Sequence, residues 1–137
     1  MTSLEKIESL LGIVGLLRAK FSRIMKTIHD RREEYKANKS YPPEELGNLM
    51  AEAQEQFAEL LKMGEFLSTT QGNLQETPRD NFDLYLKDWA MSQASERLES
   101  IQKFLMKLEG SKLEGLYFDP KIFQEGFPLL KEASELL

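Results

Sequence analysis

The 137-residue sequence contains no cysteine, which excludes disulfide bonds, thiolate metal sites and thiol catalysis. It contains one histidine, His29, so no site that needs two imidazoles can be formed within one chain. No phosphate-binding loop is present, because Gly12 and Gly15 are followed by no Gly-Lys-Ser/Thr. The two glycines instead predict close packing against another helix. Since no catalytic set can be assembled around His29, the sequence predicts a protein that is not an enzyme and uses no cofactor or metal.

A long hydrophobic run is also missing. The longest apolar stretch, residues 10–17, is eight residues long, whereas a membrane-spanning helix needs about 20. The first nine residues carry two glutamates and lack the basic start of a secretory signal. We therefore expect a cytoplasmic protein without a membrane contact.

The apolar residues are spaced for helices. Ile7, Val14, Phe21, Ile28 and Tyr35 recur every seven residues, which predicts a first helix from about residue 3 to residue 37. Strand-like alternation is absent. The sequence as a whole therefore predicts one all-α domain over residues 1–137, a bundle of four to five helices with a long first helix.

Proline, glycine and polar residues set the other predicted boundaries. A second helix is expected at about 43–68, followed by a loop over 68–77. A third helix is expected at about 78–109, beginning with a threonine and proline. Asp119 and Pro120 predict another helix start, and Gly126 with Pro128 predicts a break into two short helices.

Charge is distributed unevenly along the chain. The formal net charge is −5, yet residues 18–39 contain eight basic and three acidic side chains. A basic block in an acidic chain favours an electrostatic site for a polyanion or an acidic partner, and the alternative is a solvated helix face. The predicted nucleic-acid-binding residues are Arg18, Lys20, Arg23, Lys26, Arg31, Arg32, Lys36 and Lys39.

Residues 10–17 are apolar around the whole helix, which a single core-facing stripe does not require. We expect this segment to contact a neighbouring subunit. The predicted interface residues are Leu10, Ile13, Leu16 and Leu17.

Two functions fit these features. The first is a non-enzymatic subunit of a multi-subunit nucleoprotein complex, whose basic helix holds phosphates without reading base sequence. The alternative is a protein-only adaptor or assembly chaperone whose basic helix binds an acidic protein.

The long first helix with its arginines and lysines, and the lack of a catalytic constellation, resemble the small subunits of CRISPR effector complexes. The resemblance covers the whole chain at the level of architecture. It implies a helical, catalytically silent protein in antiviral defence, present in several copies and contacting DNA or RNA backbone. The net acidity departs from that pattern.

Overall fold

A computed structural model of the chain describes residues 2–76 and 91–137. Within these ranges it contains four helices and no strand, which confirms the predicted all-α bundle with a long first helix. The predicted start of a third helix at residue 78 lies outside the described residues. The helices are α1 (Ser3–Ala37), α2 (Glu44–Glu76), α3 (Met91–Glu109) and α4 (Pro120–Leu136).

Both ends of α1 are closed by local hydrogen bonds. Thr2 caps the first turn, since its hydroxyl accepts from the backbone N–H of Glu5 and the Glu5 carboxylate accepts from Thr2. At the other end Lys39 adopts a left-handed conformation, with φ of 56°, and the N–H of Ser40 donates to the carbonyl of Tyr35 at 2.8 Å. The 35 residues of α1 extend over about 52 Å.

Helix α2 continues past the predicted end at residue 68, so the prediction of a loop was wrong for residues 68–76, and residue 77 lies outside the described residues. The hydroxyls of Thr69 and Thr70 donate to the carbonyls of Glu65 and Phe66, four residues earlier. These bonds satisfy the side chains inside the helix. Thr70 and Leu74 are buried, which extends the packed face of α2 by two further turns.

Helix α4 is continuous, so the predicted break at residues 126–128 was also wrong. Asp119 caps its start by accepting from the backbone N–H of Lys121, as the sequence predicts for Asp119 and Pro120. Gly126 is buried against α3, and Pro128 lies on the exposed side of the helix. The packing of the buried face keeps the helix together despite the proline.

The four helices form a closed ring of contacts around one core, in which α1 packs against α2 and α4, and α3 packs against the same two helices. Phe21 of α1 and Phe104 of α3 stack across the centre with ring centroids 5.8 Å apart. Because α1 has a neighbour on each side, it needs a wide apolar stripe. This arrangement also gives α1 two edges, one next to α2 and one next to α4.

Candidate nucleic-acid interface on helix α1

Lys20 is part of the contact between α1 and α4. The side chain is 8% exposed, and its Nζ donates to Oε2 of Glu125 at 2.5 Å. Its aliphatic stem approaches Gly126, where an added Cβ would lie 3.8 Å from Cδ of Lys20. The hydrogen bond from Lys20 lowers the pKa of the Glu125 carboxyl. Lys20 is among the predicted nucleic-acid-binding residues, but α4 covers this edge of α1, so Lys20 does not face solvent.

Arg31 holds the loop before α4 against α1. Its guanidinium donates to Oε2 of Glu34 at 2.7 Å and to the carbonyl of Glu114 at 3.1 Å, and it lies 4.7 Å from the Tyr35 ring centroid. Gly115 has a φ of 77°, and a Cβ there would clash with Nη2 of the Arg31 guanidinium. The bond to Glu34 raises the pKa of Arg31. Arg31 therefore serves an internal contact.

Three further basic residues form exposed ion pairs. Lys26 binds Asp30 at 2.7 Å, one turn along the same helix. The remaining two pairs are looser: Lys36 with Glu33 at 3.2 Å, and Arg23 with Asp119 at 3.9 Å. Exposed pairs of this kind contribute about 0–1 kcal/mol. Each of these cations can therefore exchange its carboxylate for another anion at small cost.

Arg18, Arg32 and Lys39 have no ion pair within the part of the chain that the structure describes. Val14 contacts Gly64 of α2, and Arg18 follows Val14 by one turn, so Arg18 lies on the α2 edge of α1. The residues at helical spacing along this edge form what we call the α1 basic stripe: Arg18, Ser22, Met25, His29, Arg32 and Lys36.

The α1 basic stripe contains no carboxylate, and the adjoining edge of α2 contains none over most of its length. Four uncharged residues follow one another there at helical spacing: Gly47, Ala51, Gln54 and Ala58. The glutamates of α2 that form ion pairs instead face α3, where Glu52 binds Lys107 and Glu59 binds Arg97. The basic side chains of this α1–α2 surface are therefore Arg18, Arg32 and Lys36, and Glu65 continues the α2 row beyond Ala58.

Most of the apolar segment that was predicted as a subunit interface is buried in the core of the monomer. Leu10, Ile13 and Leu17 belong to the core, because α2 and α4 flank α1 on both sides, and they are therefore not available to a partner in this fold. Leu16 is 55% exposed. Gly12 is exposed as well, and a Cβ there would meet nothing within 4 Å, so the predicted close packing of the glycines does not occur within the described fold.

Neither a metal site nor a membrane-spanning helix is found in residues 2–76 and 91–137. No group of three histidine, cysteine, aspartate or glutamate residues there could hold a metal ion. His29 is exposed, and its side chain forms no hydrogen bond within these ranges that would mark it as a general base. None of the described helices combines the length and apolar character needed to cross a bilayer.

The sequence does not predict the acceptors that Lys20 and Arg31 bind within the chain. Glu125 lies 105 positions from Lys20 and Glu114 lies 83 positions from Arg31, and no local pattern connects these pairs. Comparison with protein-family models, curated proteins and solved structures gave no match to this chain.

Proposed function

We propose that the chain is a non-enzymatic, cytoplasmic subunit of a multi-subunit nucleoprotein complex, in which the α1 basic stripe contacts the phosphate backbone. The observation that carries the proposal is the pair Arg18 and Arg32. Neither forms an ion pair within the described ranges, and both lie on the flank of α1 whose adjoining α2 edge carries four uncharged residues before Glu65. A role like that of CRISPR effector small subunits is the specific form of this proposal.

The spacing of the stripe suits an extended backbone. Arg18 and Arg32 are 14 residues apart on one helix, which corresponds to about 21 Å. His29 lies between them on the same edge, and Lys36 extends the row one turn beyond Arg32. Cations in a row on a rigid helix bind phosphates without reading bases, so the expected binding is independent of sequence and sensitive to salt.

The test compares two double variants with the same change in net charge, Arg18→Glu with Arg32→Glu and, as the control, Lys103→Glu with Lys121→Glu. The control lysines are exposed and lie on α3 and α4. Each tagged variant is purified from its source cell with its associated subunits, and nucleic-acid affinity is measured at two salt concentrations.

We expect the stripe variant to assemble but bind every nucleic-acid sequence more weakly, and to lose about 0.7–0.9 of salt slope for each phosphate contact removed. The control should bind like the wild type. Unchanged affinity in the stripe variant at both salt concentrations would contradict the proposal. Loss of a co-purifying acidic protein, with nucleic-acid affinity unchanged, would instead support the adaptor function.

A further inference from the structure

Helix α1 has a second regular row of residues on the side away from the core. The row, which we call the α1 outer seam, advances in steps of three and four residues, the spacing of helix-packing positions. Every member is exposed, and Leu16 lies beside its centre with 55% of its surface exposed. The members are Glu5, Glu8, Gly12, Gly15, Ala19, Arg23 and Lys26.

The side chains at the centre of the α1 outer seam are unusually small for an exposed helix face. A glycine inside a helix destabilises the helix relative to alanine, and α1 carries two glycines on this face. A Cβ at Gly12 or at Gly15 would meet nothing within 4 Å, so nothing in the described fold requires either glycine. Missing side chains on an exposed apolar surface would allow another backbone to approach closely.

The charges at the two ends identify which partner fits. The N-terminal end of the seam carries Glu5 and Glu8, and the C-terminal end carries Arg23 and Lys26. We propose that the partner is a second copy of this chain, packed antiparallel so that the two-fold axis passes between Gly15 and Leu16 in each copy.

In this register the position numbers of facing residues add up to 31. Glu8 faces Arg23 of the other copy, and Glu5 faces the other copy's Lys26, so every charge meets its opposite. Each pair occurs twice, as a two-fold interface requires. A parallel pairing would place like charges together, and it is disfavoured for that reason.

The apolar centre fits the same register. Leu16 of one copy lies over Gly15 of the other, where the missing side chain leaves room for it. Glu8 and Arg23 form the main pair, because Arg23 is only loosely paired within its own chain, 3.9 Å from Asp119, whereas Glu5 caps Thr2 and Lys26 binds Asp30 at 2.7 Å. Since the contact is one helix pair, we expect a reversible dimer with a dissociation constant of about micromolar or weaker.

The dimer rests on the proposed function only in that it names the partner for one subunit contact. Its test contains no nucleic acid, so the dimer and the phosphate contact can fail independently. Sedimentation velocity of the full chain over a range of concentrations should show a monomer–dimer equilibrium. Glu8→Arg places like charges opposite each other twice in the dimer and should weaken association about tenfold. Arg23→Glu should do the same.

The double variant, Glu8→Arg with Arg23→Glu, restores opposite charges and should associate within about threefold of the wild type. Arg18→Glu is the matched control on α1, because Arg18 is exposed but lies off the seam, and it should leave the dimer unchanged. All four variants alter exposed side chains, and equal thermal unfolding would show that they fold. A wild type that stays monomeric, or a double variant that is not rescued, would overturn the proposal.

Discussion

Replacing Gly12 and Gly15 by alanine should stabilise the folded monomer. Both positions lie inside α1, are exposed and leave open space around an added Cβ. The change therefore removes the backbone-entropy cost of glycine without a steric penalty. Each substitution should add about 0.8–1.0 kcal/mol to the free energy of unfolding, and together they should add about 2 kcal/mol.

A gain of that size should raise the unfolding midpoint by about 5–10 °C in a chain of this length. Urea unfolding followed by circular dichroism, at protein concentrations low enough to avoid self-association, measures it directly, and the slope against urea should not change. Gly126→Ala is the matched control inside α4, because its Cβ would lie 3.3 Å from Cδ1 of Leu105 in the core. It should gain much less or lose stability. A double variant no more stable than the wild type would refute the reasoning, because the outer face of α1 would then be covered within the monomer.

Three other expectations follow from the packing. Ile13→Glu places an unpaired charge in the core and should cost roughly 3–5 kcal/mol, whereas Leu16→Glu on the exposed side should leave the denaturation midpoint of the monomer nearly unchanged. Since Lys20 lowers the pKa of Glu125 below its ordinary value of 4.5, the stability from that pair is present above pH 4.5 and is lost as pH falls through the lower folded-state pKa. Stability measured from pH 7 down to pH 2 should fall less steeply in Glu125→Gln than in the wild type. Pro128→Ala restores a backbone donor inside α4 and should stabilise the fold by about 1–3 kcal/mol in urea unfolding, and a loss of stability would mean that the proline ring supports the packing.

The sequence predicts the bounds of those helices whose start or length is determined by nearby residues. The seven-residue recurrence of Ile7, Val14 and Phe21 predicted the bounds of α1, and Asp119 with Pro120 predicted the start of α4. The predicted ends failed where tertiary packing overrides local propensity. Thr70 continues α2 because its hydroxyl is satisfied within the helix and its side chain is buried, and neither fact can be read from its residue type.

The sequence predicts which helix carries the candidate site but not which of its basic residues are free to bind a ligand. The uneven charge identified α1, yet Lys20 and Arg31 serve contacts with residues more than 80 positions away. Helical angle alone does not say which edge of α1 a neighbour covers. That edge is fixed by α4, whose buried Gly126 lets the Lys20 stem and Leu105 come close. Arg18 and Arg32 remain available because they lie on the other edge.

The proposed phosphate contact of the α1 basic stripe has a direct spectroscopic reporter. His29 is the single histidine of the chain, and it lies on the stripe between Met25 and Arg32, so its ring protons give one assignable set of NMR signals. Titrating the full chain with a single-stranded oligonucleotide at low salt should shift these signals, added salt should reverse the shift, and Arg18→Glu with Arg32→Glu should abolish it. His29 signals that stay fixed while the oligonucleotide perturbs resonances of α3 or α4, or perturbs none, would contradict the assignment of the α1 basic stripe as the nucleic-acid interface.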